Sequence, residues 1–154
     1  MRHPFSTPLL VFCFAATAAI AQPASTPALT REQAAKLLED YVQIWEDDAR
    51  VNAATVARFY GPQVNYYGQR MTRQQVLADK LRYVRAYPGR SYSIKPGTAS
   101  TSCDDQRKAC VARAELVVGL TDARGRSTQR TTRLRLVMSR ASGGKIVEER
   151  ASSQ

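Results

Sequence analysis

The chain has 154 residues, enough for one domain, and a formal net charge of +10 from 23 lysine and arginine residues against 13 acidic ones. Its one histidine, His3, lies in an N-terminal segment that we expect to be removed, so Ser-His-Asp and Cys-His catalytic sites are excluded from the remainder. A zinc site without histidine would need an uncommon set of ligands, and we expect neither a metal nor another cofactor.

Residues 1–21 have the pattern of a secretory signal peptide. A positively charged start precedes an apolar stretch from Leu9 to Ile20, and Ala19-Ile20-Ala21 supplies the small residues of a cleavage site. A transmembrane anchor is the alternative, but spanning a bilayer needs about 20 apolar residues and this stretch is shorter. We therefore expect cleavage after Ala21 and a periplasmic or secreted location.

The exported part divides into a short lead-in and one domain. Residues 22–29 are rich in Pro, Ser and Ala and are expected to be disordered, and residues 30–154 form the domain. Positive charge is concentrated after residue 50, which favours anionic partners such as lipid head groups, cell-wall polymers or an acidic protein face. An arginine-rich, solvent-exposed sheet face explains the same charge without any partner. Export argues against a nucleic acid as partner.

Two cysteines, Cys103 and Cys110, remain after removal of the signal. In an oxidising compartment such a pair favours a disulfide, and the spacing suits a bridge across the end of a β-hairpin. Two free or redox-active thiols are the alternative, although the chain has no Cys-x-x-Cys motif.

Three helices are predicted in the first half of the domain from capping boxes and from apolar residues at helical spacing. They run from Thr30 to Ala49, from Asn52 to Tyr60, and from Thr72 to Tyr87. Gly61-Pro62 is expected to end the second helix, and Pro88-Gly89 the third.

Beyond Pro88 the period of the apolar residues changes from 3.6 to 2, which is typical of antiparallel strands with one solvated face. The predicted strands are a brief one from Val64 to Tyr67 and then segments around Tyr92 and Ile94, Thr98–Ser102, Ala112–Leu120, Arg133–Met138 and Lys145–Arg150. Helices first and a long meander afterwards predict an α+β fold, with the helices packed on one face of a curved antiparallel sheet.

This order of elements, together with several local sequences, resembles the nuclear transport factor 2-like (NTF2-like, or SnoaL-like) superfamily. The residues that carry the resemblance are Trp45, Phe59-Tyr60-Gly61, Val64 to Gly68, Thr72-Arg73 with Val76, Asp79-Lys80, and Tyr87 to Tyr92. With Cys103 and Cys110 they resemble a bacterial extracytoplasmic subgroup. The resemblance spans residues 30–150 and implies a cone-shaped fold whose open end can hold a small ligand.

Two charged residues lie on otherwise apolar helix faces. At 100° per residue, Asp48 falls within the apolar arc of the first helix and Lys80 near the middle of that of the third. If both faces line one cavity, the carboxylate and the ammonium meet there and suit acid/base chemistry. The structural alternatives are that Asp48 ends its helix, that Lys80 extends its ammonium to water, or that the two form a salt bridge.

The resemblance also implies candidates among the aromatic residues. Ligand contacts are predicted for Tyr41, Trp45, Tyr67 and Tyr83, with Tyr66 and Tyr92 as further possible lining residues; packing in the core is the alternative for each. Asp79 joins Asp48 as a candidate base in an Asp/Tyr pair that stabilises an enolate.

The superfamily includes dehydratases, isomerases, cyclases and many binding or assembly modules, so the fold alone does not choose a function. We expect an exported, non-catalytic module that binds a small molecule or an envelope partner through its cone or its sheet. The alternatives are a cofactor-free lyase or isomerase that uses Asp and Tyr in the cone, and a homodimer that pairs sheet to sheet, as many members of the superfamily do.

Overall fold

The computed structural model describes residues 29–153, and the predicted signal peptide lies outside this range. Its three helices are α1 (Arg31–Ile44), α2 (Ala53–Phe59) and α3 (Arg73–Ala86). Its seven strands are β1 (Tyr60–Tyr66), β2 (Gln69–Thr72), β3 (Gly89–Ile94), β4 (Ser100–Asp104), β5 (Ala109–Thr121), β6 (Ser127–Ser139) and β7 (Lys145–Ser153). Within residues 29–153 no helix is long and apolar enough to cross a membrane.

The strands form one sheet in the order β2-β1-β7-β6-β5-β3, and β4 pairs with the part of β5 that β3 leaves free. All pairs are antiparallel except β1 with β7. Helix α1 packs on β3, β4 and β5, and α3 packs on β1 and β2. The predicted α+β fold, with helices covering a mainly antiparallel sheet, is therefore confirmed.

Both predicted capping boxes form, Thr30 with Gln33 and Thr72 with Gln75. The first helix nevertheless ends five residues earlier than its apolar pattern predicts, at Ile44 rather than Ala49. The Asp47 side chain accepts a hydrogen bond from the Ala49 amide and starts a separate 3-10 turn. Such a local carboxylate-to-amide bond competes with the helix for the backbone.

The prediction that Gly61-Pro62 ends a helix containing Tyr60 is wrong. Strand β1 begins at Tyr60 and continues through Pro62, and β2 was not predicted at all. Proline lacks the amide that a sheet ladder needs. Here β2 pairs with β1 only from Gln63 onward, and the pairing with β7 is irregular between Tyr60 and Asn65. Pro62 therefore occupies the part of β1 where neither ladder is continuous.

Cys103 and Cys110 form a disulfide between directly paired residues of β4 and β5, which confirms the predicted bridge across a hairpin. Leu29, assigned from the sequence to the lead-in, is buried in the core, and the Arg140 guanidinium donates to its carbonyl. Leu29 thus packs with the domain, and residues 22–28 of the predicted lead-in lie outside the described range.

Candidate functional site

A cavity of about 380 Å³ lies between the inner face of the sheet and helices α1 and α3. Helix α1 contributes Tyr41 and Val42, its C-cap contributes Trp45, and α3 contributes Asp79, Lys80, Tyr83 and Val84. The sheet contributes Tyr66, Arg90, Tyr92, Leu116, Val118, Arg130, Thr132, Leu134, Glu149, Ala151 and Ser153, and Tyr67 lies in the turn after β1. A volume of this size falls in the range of small-molecule sites.

The inner wall of the cavity is aromatic. The Tyr41 ring packs edge-on against Trp45, Phe59 and Tyr60, with ring centroids 5.5, 5.7 and 6.2 Å away. Edge-to-face packing at these separations is the arrangement that aromatic rings prefer. Tyr41, Phe59 and Tyr60 are each almost completely buried, so the wall that Tyr41 and Trp45 present to the cavity is backed by closely packed rings.

A buried ion pair joins α3 to β7 beside this wall. The Lys80 ammonium lies 3.3 Å from Glu149 Oε1, and the two side chains are 15% and 1% exposed. The ammonium also donates to Tyr41 Oη at 2.9 Å and lies 4.7 Å from the centroid of the Trp45 ring. A cation over an aromatic face gains several tenths of a kcal/mol to about 2 kcal/mol when desolvated.

Two tyrosine hydroxyls also donate hydrogen bonds to Glu149. Tyr67 Oη donates to Oε1 at 3.0 Å, and Tyr60 Oη donates to Oε2. Because Tyr60 gives its proton to Glu149, the 3.1 Å contact between Tyr41 and Tyr60 has Tyr41 as donor. We call Glu149, Lys80, Tyr41, Tyr60 and Tyr67 the Glu149 cluster. Every side-chain oxygen and nitrogen in it has a hydrogen-bond partner.

The environment holds these tyrosines in the protonated form. Burial raises the pKa of Tyr41 and of Tyr60 well above the ordinary value, and the nearby Glu149 charge raises both further. Burial likewise raises the pKa of Tyr66 and of Tyr67, again with Glu149 as the next cause. At neutral pH all four phenols are therefore hydrogen-bond donors rather than bases.

Tyr67 reaches the Glu149 cluster from a strained position. It precedes Gly68 in the two-residue turn between β1 and β2, and its φ of 51° is in the left-handed region. That region suits Gly, Asn or Asp in such hairpin turns and is uncommon for a bulky residue. The residue as a whole is half exposed, at 49%, while its hydroxyl is bonded to Glu149.

Glu149 was not predicted as a site residue because strand β7 is irregular. Strict alternation from Ile146 would place Glu148 inside and Glu149 outside. Instead, Met138 of β6 pairs with Ile146 and Val137 pairs with Glu148, so Val147 is an extra residue in β7. A bulge of this kind reverses the faces of the residues that follow, and Glu149 turns inward.

Asp48 does not meet Lys80, which corrects the expectation drawn from the helical wheel. Because α1 ends at Ile44, Asp48 lies outside the helix, its side chain is 60% exposed, and it pairs with the buried guanidinium of Arg90. Arg90 also donates to the carbonyls of Trp45, Val84 and Tyr87. Asp48 and Arg90 thus join the ends of α1 and α3 to β3.

The other predicted site residues lie together around the cavity. Tyr41, Trp45, Tyr67, Tyr83, Asp79 and Lys80 all line the cavity, although a ligand role for them stays a prediction. Asp79 accepts a hydrogen bond from Tyr66 Oη at 3.1 Å and forms an ion pair with Arg82. The partner of Lys80 is Glu149 and not an aspartate.

On the far side of the cavity, β6 and β7 present a polar patch that we call the rim patch: Arg130, Thr132 and Ser153. Thr132 pairs directly with Ser153, and Arg130 is two residues before Thr132 on the same face of β6. Arg130 and Ser153 are exposed, whereas Thr132 is buried at 9%. Within the described residues, Thr132 Oγ1 has no hydrogen-bond partner, and neither has the indole Nε1 of Trp45.

The outer face of the sheet carries a different arrangement of charge. The register aligns Arg113, Arg135 and Arg150 across β5, β6 and β7. Glu148 forms ion pairs with both Arg135 and Arg150. Much of the positive charge on this face is therefore balanced locally, as expected for a solvated sheet, and an anionic partner for it stays a prediction.

Solved structures share this architecture. An NTF2-like superfamily protein from Salmonella enterica serovar Typhimurium superposes with a TM-score of 0.65 at 11% identity, covering 80% of this chain and 89% of that one. A candidate dehydratase of the NTF2-like family from Streptomyces avermitilis gives 0.64 at 12% identity, covering 80% and 95%. A candidate SnoaL-like polyketide cyclase from Jannaschia sp. CCS1 gives 0.58 at 12% identity, covering 87% and 92%.

The chain therefore has an NTF2-like fold. No protein-family model matches its sequence, and no curated protein matches it either. At identities this low, a shared fold carries no information about the reaction or the ligand.

Proposed function

We propose that this protein is an exported module that binds a small molecule in the cavity between its sheet and helices, and that it does so without catalysing a reaction. One observation carries the proposal: a cavity of about 380 Å³ whose lining includes two buried polar atoms, Trp45 Nε1 and Thr132 Oγ1, that have no hydrogen-bond partner among residues 29–153. Buried polar groups are almost always hydrogen-bonded, so two such atoms beside one cavity favour a ligand that completes them.

The state of the charged residues supports binding over catalysis. A general base needs a free lone pair within reach of the substrate. Glu149 is 1% exposed and accepts three hydrogen bonds, from Tyr60, Tyr67 and Lys80, so most of its acceptor capacity is used within the protein. Lys80 is held by Glu149 and Tyr41 in the same way. These groups fix the shape and polarity of the cavity.

Export is the other part of the proposal, and its support is the signal-like pattern of residues 1–21. The Cys103–Cys110 disulfide fits an oxidising compartment, because disulfides form and persist there.

A cofactor-free lyase or isomerase is the second candidate, and the observation that favours it is the Asp79–Tyr66 hydrogen bond of 3.1 Å on the cavity wall. Of the two aspartates considered as a base, only Asp79 lines the cavity. Its carboxylate is already engaged by Tyr66 and by an ion pair with Arg82. Asp79→Asn distinguishes the two candidates. If the wild type and the variant both bind a ligand without converting it, the binding module is supported. If the wild type converts the ligand and the variant does not, the enzyme is supported.

The proposal is tested by native mass spectrometry of the protein purified from the periplasm without refolding, and by titrating the protein with the small molecules extracted from it. Val118→Phe fills the cavity, and Val117→Phe places the same ring on the opposite face of β5 as a control. We expect bound ligand on the wild type and on Val117→Phe but not on Val118→Phe, with all three folded by circular dichroism. Equal occupancy in the two variants would place the ligand elsewhere and contradict the proposal.

A further inference from the structure

We propose that the rim patch is a carboxylate-binding subsite and that the ligand of the cavity is an amphipathic acid, with an apolar body and one carboxylate. This inference rests on the proposed function, because it names the chemical class of the molecule that the cavity holds. The body lies against the apolar sheet face between the Glu149 cluster and the rim patch, and the carboxylate binds Arg130 and Thr132.

Charge balance in the lining points to an anion at this position. The other charged residues of the lining each have an ion-pair partner: Lys80 with Glu149, Asp79 with Arg82, and Arg90 with Asp48. Within residues 29–153, Arg130 forms no ion pair. One uncompensated guanidinium therefore remains in the lining. A guanidinium presents paired N–H donors that match the two oxygens of a carboxylate.

Hydrogen-bonding capacity at the same place supports this assignment. Thr132 is nine-tenths buried, lines the cavity and has no partner for its hydroxyl within the described residues. Ser153, directly across the strand pair, adds a second hydroxyl to the lining. A carboxylate that accepts from a guanidinium and from one or two hydroxyls has its oxygens satisfied, and it supplies the acceptor that Thr132 lacks.

The strand register sets the size and character of the rest of the ligand. Inward-facing residues of β7 follow one another from Glu149 through Ala151 to Ser153, a distance of about 13 Å at 3.3 Å per residue. Between the two polar ends the inner face carries Ala151 and Leu134, with Leu116 beside Thr132. The space thus suits an aryl or alkyl body of about 10 Å. One end of this body lies at the Glu149 cluster, whose charges are already balanced, and the other lies at the rim patch.

The experiment uses a matched pair of probes, naphthalene-2-acetate and its uncharged amide, naphthalene-2-acetamide, titrated calorimetrically into the purified mature protein at low ionic strength. Arg130→Gln removes the proposed contact, and Arg133→Gln on the opposite face of β6 removes the same charge as a control. We expect the wild type and Arg133→Gln to bind the acid about fivefold or more tightly than the amide, as for a partly exposed ion pair. Arg130→Gln should lose this preference, because its affinity for the acid falls while its affinity for the amide stays the same.

The outcomes separate this inference from the proposed function. Equal affinity of the wild type for acid and amide, with both excluded by Val118→Phe, would overturn the carboxylate subsite and leave the binding function standing. An unchanged preference in Arg130→Gln would overturn the role of Arg130. No binding of either probe by the wild type would count against both proposals.

Discussion

The two polar regions of the cavity differ in how completely their hydrogen bonds are satisfied. In the Glu149 cluster every side-chain oxygen and nitrogen has a partner. In the rim patch, among residues 29–153, Thr132 Oγ1 has no hydrogen-bond partner and Arg130 forms no ion pair. A satisfied buried network stabilises one conformation of a fold. An unsatisfied group costs free energy in the empty protein, and a ligand can recover that cost. The comparison indicates a structural role for the first region and a recognition role for the second.

The largest expected effect comes from neutralising Glu149. Glu149→Gln leaves the Lys80 ammonium buried without a counter-charge, and we expect a loss of about 3 kcal/mol in the free energy of unfolding. Urea denaturation followed by circular dichroism measures it. Glu148→Gln is the matched control on the neighbouring residue, which faces the outer arginines, and should cost less than about 1 kcal/mol. A loss below about 1 kcal/mol in Glu149→Gln would mean that the cluster stabilises the fold no more than a surface ion pair does.

The disulfide should affect stability without affecting the cavity. Cys103 and Cys110 are seven residues apart in sequence and line no part of the cavity. Closing so short a loop contributes about 2.5 kcal/mol on the chain-entropy account, and the Cys103→Ala/Cys110→Ala variant should lose that amount. Naphthalene-2-acetate affinity should stay unchanged in the folded variant. A parallel loss of affinity would show that the β4–β5 hairpin shapes the site.

Alkaline pH should separate the buried aromatic wall from exposed tyrosines. The pKa values of Tyr41, Tyr60, Tyr66 and Tyr67 are raised by burial above the ordinary value of 10.0. Above about pH 10 the unfolded chain therefore releases protons that the folded chain keeps. Stability contributed by these phenols is complete below that pH and falls as the pH rises, by up to about 1.4 kcal/mol per pH unit for each of the buried Tyr41, Tyr60 and Tyr66, and by less for the half-exposed Tyr67.

Chemical denaturation between pH 9 and pH 11.5, together with absorbance at 295 nm, measures this dependence. Tyrosines that ionise in the folded protein with no loss of stability would contradict the assigned burial.

Local patterns were sufficient to predict most of the fold. The capping boxes at Thr30 and Thr72 and the alternation along β5 and β6 each act through neighbours in sequence, and each is confirmed. The errors lie where pairing between strands that are distant in sequence determines the local structure. Tyr60 continues as a strand because β7 lies beside it, and Pro62 is tolerated because the ladder is interrupted there.

The candidate site was less accessible to sequence reasoning. Lys80 was identified by its apolar helix face, but its partner was not, because one extra residue in β7 turns Glu149 inward. Asp48 was misplaced because the Asp47 cap ends the helical periodicity before it. That Thr132 has no hydrogen-bond partner within the described residues depends on all of its spatial neighbours, so no sequence pattern could reveal it.

The central claim, that the rim patch is built for a ligand and not for stability, is tested most directly by Thr132→Val. The variant replaces a buried hydroxyl, unpartnered in the part of the chain that the structure describes, by a methyl group of the same size, and Thr131→Val on the opposite face of β6 is the control. We expect Thr132→Val to raise the free energy of unfolding by about 0.5–1 kcal/mol and to weaken naphthalene-2-acetate binding, while Thr131→Val changes neither by more than about 0.5 kcal/mol. A loss of stability in Thr132→Val with unchanged affinity would show that the hydroxyl serves the fold, and would contradict the account.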